Sequence, residues 1–203
     1  DHSTDRTYAI VAELSERIPE VKLLTNTGAP GFGRAIIYGL DQITGDAAAI
    51  VMADESDDAG DLLRYWDVLN QGWHAVFGSR FIKGGDAIDY PWLKLWLNRA
   101  ANLFIQTLFH ISLNDTTNAF KAYRTTALNG CRPFLSAQFN LTVELPLKII
   151  VRGYSWTIIP ITWRNRRSGQ SKLKIQVMGS RYLLIVLYGW LEKSLSCGDY
   201  RKN

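Results

Sequence analysis

The clearest pattern in the chain is an apolar run that stops abruptly in acid. Ala47-Ala48-Ala49-Ile50-Val51-Met52-Ala53 is followed at once by Asp54, Glu55, Asp57 and Asp58. A short uninterrupted apolar run reads as a buried strand, and its carboxylates then lie at the strand's C-terminal end, where open α/β sheets bind ligands. Around it the pattern alternates between helix and strand. Thr7 to Ile18 is apolar at helical spacing, and Pro19 ends it; Val21–Leu24 reads as a short strand. A glycine-rich turn, Asn26 to Arg34, leads into a helix through about Ile43. Strand, glycine turn, helix and strand in that order predict a βαβ unit with parallel pairing and a right-handed crossover.

Beyond the acidic cluster, Asp61 to Gln71 reads as a helix and Ala75 to Arg80 as a second buried strand ending in a base. Tyr90 to Ile111 is a long helix carrying Trp92, Trp96, Phe104 and Phe109 beside Lys94 and Arg99. Asp115 to Arg124 reads as a loop entering a strand, Thr142 to Arg152 as a helix and Tyr154 to Trp163 as a strand. A basic loop, Arg164 to Lys174, precedes a last apolar block from Tyr182 to Leu191. The fold class expected is α/β, a mostly parallel sheet flanked by helices.

Composition narrows this only a little. The 203 residues suffice for one domain with a sizeable core. The formal charge of +4 is modest, with the bases crowded toward the C-terminal third. That favours a local anionic partner over general nucleic-acid binding. Two cysteines, Cys131 and Cys197, make no disulfide framework and suggest a reducing compartment. The three histidines show no metal spacing. The chain opens on aspartate with no secretory signal, as a cut sequence would, and its longest apolar block is about half of what a bilayer span requires.

Candidate chemistry has two readings at each place. The acidic cluster could hold a hard divalent cation, since close carboxylates repel unless something cationic sits among them, or it could be a solvated helix cap. The glycines could let backbone amides approach a phosphate, or merely form a tight turn. Arg80 suits a diphosphate or pairs with a nearby aspartate. Glu144, in a mostly apolar helix, is a catalytic group or a structural one. The aromatic segments fit core helices, a surface between copies of a homo-oligomer, or a membrane interface where tryptophan and tyrosine sit beside lysine and arginine.

Taken in order, several segments resemble those of family 2 glycosyltransferases, in particular the dolichol-phosphate mannosyltransferase-like branch with its GT-A fold. Asp1-His2-Ser3-Thr4-Asp5 resembles the end of the family's D-D-G-S-T-D segment, and Asn26 to Gly33 its N-x-G-x-G turn. Gly78-Ser79-Arg80 resembles G-S-R, and Asp115 to Arg124 resembles D-x-T-S-G-F-x-A-Y-R. Trp163-x-x-Arg166-x-x-Gly169-x-Ser171-Lys172 resembles F-x-x-R-x-x-G-x-S-K. The usual D-A-D-x-Q appears as Ala53-Asp54-Glu55-Ser56-Asp57, with the carboxylates one place further on.

The resemblance implies a partial GT-A domain over residues 1–203, starting after the first two strands, with a C-terminal interface helix region at 175–203. It implies transfer of a hexose, with inversion, from a GDP- or UDP-sugar to a polyprenyl or dolichyl phosphate. The rivals are a transferase extending a surface glycan and a catalytically silent nucleotide- or lipid-binding domain. Magnesium or manganese would be held by Asp54, Glu55 and Asp57, and Asp54, Arg80, Arg166 and Glu144 would carry the reaction. Asp1, Ser3, Gly31, Gly33, Arg34, Ala53, Arg99, Ser171 and Lys172 would bind substrate. The expected place is the cytoplasmic face of a membrane, peripherally attached.

Overall fold

A computed structural model describes residues 1–166 and 175–202. In chain order the elements are α1 (Thr7–Arg17), α2 (Phe32–Leu40), β1 (Ala47–Ile50), α3 (Asp61–Asn70), β2 (Ala75–Ser79), β3 (Asp86–Ile88) and α4 (Trp92–Phe109). They continue with β4 (Lys121–Arg124), α5 (Thr125–Gly130), α6 (Leu141–Val151), β5 (Trp156–Pro160), β6 (Thr162–Arg164) and α7 (Ile175–Leu195).

Ala75-Val76-Phe77-Gly78-Ser79 offers no strongly polar face, and the fold buries all five residues in the middle of a sheet ordered β1-β4-β2-β5. β2 pairs parallel with β5 and antiparallel with β4, and β4 pairs antiparallel with β1. Three strands therefore run one way and β4 runs against them, so the sheet is mixed. Side chains alternate across it. Ala75, Phe77 and Tyr123 face a core built with Leu40, Leu128, Leu141 and Ile149, whereas Val76 and Ala122 face Tyr65, Leu69 and Phe120.

Two expectations change here. Val21–Leu24 forms no strand, and so the predicted βαβ unit is not made: β1 takes its ladder from β4 instead. The three-residue strands β3 and β6, which pair in parallel, and the short α5 carry too few residues for periodicity to reveal.

α6 is buried almost all round and brings two charges, Glu144 and Lys148, into the interior. Their side chains meet at 2.8 Å, and the Glu144 carboxylate also accepts hydrogen bonds from the Leu135 and Ser136 amides. At the end of the helix Arg152 pairs with Glu192 of α7 at 2.7 Å and donates to the carbonyls of Gly130 and Arg132. These contacts hold α7 to the domain beside the apolar cluster of Ile105, Phe109, Val143, Leu147, Ile185 and Val186. Among the described residues no helix is long and apolar enough to cross a membrane.

Removing one member of a buried pair strands the other charge. Arg152→Met is expected to cost about 3–5 kcal/mol in urea unfolding, and the double variant Arg152→Met/Glu192→Leu to recover most of it. Equal stability of the single variant and the parent would refute this account of how α7 is held.

Candidate active site

The turn after β1 sorts its four carboxylates. Asp58 Oδ1 accepts the Gly60 amide at 2.8 Å, closing a local turn just ahead of α3. Glu55 has a positive φ of 57° and is exposed. Asp54 and Asp57 turn instead toward the end of the sheet, where the cleft opens. Asp54 Oδ1 accepts the Ser56 amide, and its other oxygen lies 3.8 Å from Arg166 Nε. Asp57 Oδ1 is buried and has no hydrogen-bond partner among the described residues. Burial, and next the charge of Asp54, push the Asp57 carboxyl up from 3.8 to about 6.

This arrangement suits a hard divalent ion in one way and not in another. An unsatisfied buried carboxylate oxygen beside a second carboxylate is a fitting donor set for magnesium or manganese, which need only one or two protein carboxylates when phosphate oxygens and water complete the shell. Three acidic or metal-ligating side chains do not gather anywhere among the described residues, so Glu55 is not brought to the site as a third ligand.

Opposite the acids lies a buried cationic floor. Arg80, one residue past β2, donates from Nε and Nη2 to the two oxygens of Asp115 at 2.8 and 2.7 Å, and its amide donates to the same carboxylate. Its guanidinium lies 5.2–5.4 Å from the ring centres of Phe81, Tyr90 and Trp163. The aspartate pairing allowed for Arg80 is therefore what the fold uses. Lys121, at the start of β4, is fully buried and donates to the carbonyls of Thr116 and Thr142. Burial draws its ammonium down to about 7, against the pull of Asp115.

The segment carrying Arg166 reaches the acids through backbone pairing. Arg164 donates its amide to the Ser56 carbonyl, Asn165 to that of Ile88, and Asp57 bridges to Trp163. On the other side, buried Asn102 of α4 accepts the Thr116 amide at 2.6 Å, and Asn98 donates to Thr117 Oγ1. α4 is thus fastened to the loop before β4.

The result is two adjoining cavities. A polar one of about 390 Å³ contains Asp54, Asp57, Arg80, Asn118, Trp163 and Arg166. An apolar one of about 370 Å³ lies between α4 and α7, against Leu97, Ala101, Phe104, Ile105, Leu183 and Val186. Tyr90, Lys94, Asn98, Thr117 and Tyr182 line both.

Several expected site residues stand elsewhere. Gly31 and Gly33 press against the backbone of residues 136–137, where any Cβ would collide with the Ala137 and Ser136 carbonyls. Asp1 accepts the Gly31 amide at 3.0 Å, so that part of the glycine turn packs against protein. Asp1 and Ser3 line a separate cavity with Tyr8 and residues 22–25. Arg34 is exposed and donates to the Pro30 carbonyl. Arg99 donates to the Asn114 carbonyl and lies over Phe81, outside both cavities. Ala53 is an exposed turn residue. Glu144 is buried, its carboxylate engaged by the Leu135 and Ser136 amides and by Lys148. Ser171 and Lys172 lie outside the described residues. Lys121 and Asn98 were not singled out: only the register of β4 and the face of α4 reveal their places.

The model of glycosyl transferase family 2 matches residues 1–131 of this chain. The chain belongs to that family. A polyprenol monophosphomannose synthase from Mycolicibacterium smegmatis is 29% identical over 179 residues, covering 85% of this chain and 68% of the relative. A dolichol-phosphate mannosyltransferase from Pyrococcus furiosus is 26% identical, covering 86% of this chain and 49% of the relative. A solved glucosyl-3-phosphoglycerate synthase from Mycobacterium tuberculosis, in complex with Mn²⁺, UDP-glucose and phosphoglyceric acid, superposes with a TM-score of 0.66. Its sequence identity is 15%, over 93% of this chain and 65% of that one. This family 2 chain thus has the GT-A fold, and it spans 49% to 68% of the length of these relatives.

Asp57 ties the site to pH. In the folded chain it keeps its proton to about pH 6, whereas an unperturbed aspartate releases it near 3.8, so folding takes up a proton between those values. The stability this proton contributes is complete below the lower value and is lost as pH rises through the upper one. Asp57→Asn should therefore flatten the decline in urea stability across that window, and manganese should offset the decline in the parent but not in the variant. An unchanged pH slope in Asp57→Asn would contradict the assignment.

Proposed function

We propose that this family 2 glycosyltransferase moves a hexose from a nucleoside-diphosphate sugar to a polyprenyl phosphate, with inversion. One observation carries the reading: a charged cavity with two carboxylates opens, across a common rim, into an apolar cavity of similar size. A sugar nucleotide fits only the first. A lipid phosphate is the acceptor class whose head and tail would need both. The names of the mycobacterial and archaeal relatives support the same acceptor class.

In this reading Asp54 and Asp57 hold the divalent ion, magnesium or manganese, which when bound neutralises charge growing on the leaving diphosphate. Arg166, held beside Asp54, adds positive charge at the same side of the cleft. Arg80 shapes the floor through Asp115. An acceptor phosphate oxygen attacks the anomeric carbon as the bond from that carbon to the diphosphate oxygen breaks, and the electron pair leaves with the diphosphate. The attacking oxygen is already anionic, so no general base is required. A hydroxyl acceptor would need one, and the base first considered for it, Glu144, has both oxygens engaged and lines neither cavity.

The apolar cavity lies between two helices that keep large side chains uncovered. Trp92 and Trp96 of α4 are 72% and 69% exposed, and Leu184 and Leu195 of α7 are 71% and 70% exposed. Lipid headgroups and acyl chains are the partner that this mixture of tryptophan, leucine and nearby lysine favours, so we place α4 and α7 against a membrane surface.

Assayed as the full-length protein with GDP- and UDP-hexoses and a polyprenyl phosphate, transfer is expected to require a divalent ion. Asp54→Ala should fall by about a hundredfold or more. If no sugar nucleotide binds in the presence of manganese, and Asp54→Ala changes nothing, the reading gives way to a silent binding domain. The protein should also float with anionic liposomes, and Trp92→Ser/Trp96→Ser should float less; sedimentation away from lipid at low salt would count against the membrane surface.

A further inference from the structure

We propose that His74 is an acid-sensitive latch: while neutral, its ring ties the segment that follows α7 to the sheet, and a proton on the ring releases that segment. The latch lies away from the cleft. His74 precedes β2, whereas Arg80 follows it, so the two stand at opposite ends of the strand.

Residues 196–202 turn back from α7 and reach this end of the sheet. The Lys202 amide donates to the Arg152 carbonyl at 2.8 Å, and the Arg152 guanidinium lies 5.4 Å from the Tyr200 ring. Lys202 Nζ meets His74 Nε2 at 2.7 Å and sits 5.6 Å above the ring of Tyr154. The other side of the imidazole is fixed as well. His74 Nδ1 lies 2.6 Å from Ser155 Oγ, and the His74 amide donates to the Ser155 carbonyl just ahead of β5.

An ammonium has three donors and no acceptor, so His74 Nε2 must be the acceptor in the contact with Lys202. The proton of the neutral ring is then on Nδ1, facing Ser155 Oγ, which can accept it. Lys202 is exposed and keeps its charge, and of the two partners only the imidazole changes state in mild acid. A proton on Nε2 removes the lone pair that Lys202 uses and sets two cations at the separation of a hydrogen bond. The contact then opens.

The surroundings give an imidazolium no compensation. The titratable groups acting on the ring are Lys202, Arg124 at the end of β4 and Tyr154 ahead of β5, and no carboxylate pairs with it among the described residues. Arg152, at the end of α6, turns to Glu192 instead. Burial, and next Lys202 and Arg124, hold the ring below its ordinary 6.5. Because the value falls on folding, the stability involved is complete above 6.5 and is lost as pH falls through the folded value, the opposite sense to Asp57. The Arg152–Glu192 pair includes neither latch residue, so α7 itself stays docked when the latch opens.

Two signals from the full-length protein test this: the His74 ring followed by NMR, and hydrogen-exchange protection of the Lys202 amide, corrected for the intrinsic rate at each pH. His74 should titrate below 6.5, and protection at Lys202 should fall by about tenfold or more over the same range while the amides of β2 keep theirs. Lys202→Met removes an opposing cation and should raise the His74 value. His74→Gln supplies an acceptor oxygen that takes up no proton in this range, and should make protection at Lys202 independent of pH. A His74 titration unmoved by Lys202→Met overturns the latch. So does a Lys202 amide that is unprotected throughout in the parent, or one that loses protection in acid equally in His74→Gln.

Discussion

The bidentate pair between Arg80 and Asp115 is the contact on which the cleft depends. Their side chains are 6% and 0% exposed, so two full charges have been taken out of water and must satisfy each other. Geometry makes that tolerable: two parallel nitrogen-to-oxygen bonds, a third from the Arg80 amide, and three aromatic rings around the guanidinium. The pair joins the end of β2 to the loop entering β4. That loop is in turn fastened to α4 by Asn102 and Asn98. Through one ion pair, the floor of the polar cavity and the wall of the apolar one are positioned together.

The electrostatics of the floor follow from how little water reaches it. Asp57 and Lys121 carry opposite charges and attract one another, yet burial is the larger effect on each: the acid is drawn up to about 6 and the base down to about 7. Both are pushed toward neutrality. Such a site gains more from an added cation near Asp57 than a solvated cluster would, because the ion replaces solvation that the fold has already removed. The same reasoning separates the acids: Asp58 and Glu55 are left near water, Asp58 closing a turn onto the Gly60 amide.

Much of this was legible from residue order, and the failures have physical causes. Long helices announced themselves by period, and the central strand by its lack of a polar side; α3, α4, α6 and β2 lie within two residues of expectation. β4 was expected as a strand, but its direction depends on tertiary pairing that no local pattern encodes, and hence the sheet proved mixed. Val21–Leu24 has strand composition but no ladder partner among the described residues, and composition alone does not make a strand. At the glycine turn a missing Cβ serves close packing as readily as phosphate approach, and Gly31 and Gly33 admit the backbone of residues 136–137. Asp54, Asp57, Arg80 and Arg166, drawn from three separate stretches, do meet in one cavity. Lys121 escaped notice because a lysine in a strand reads as solvent-facing until the neighbours on both sides are known.

The two cavities make different demands on charge, and the fold meets them with different kinds of base. On the floor of the polar cavity Arg80 is buried and tied to Asp115, and Lys121, fully buried and lining neither cavity, is held by two carbonyls. At the rim, in the proposed reading, a lipid head arriving from a membrane would be captured from water and given up again. A buried, fully bonded base is poorly suited to that, since each capture would cost it existing bonds. An exposed lysine on a rigid helix loses little on binding and little on release. The separation of tied floor and free rim is therefore what would let one cleft hold a sugar nucleotide tightly in register while lipid acceptors come and go along α4.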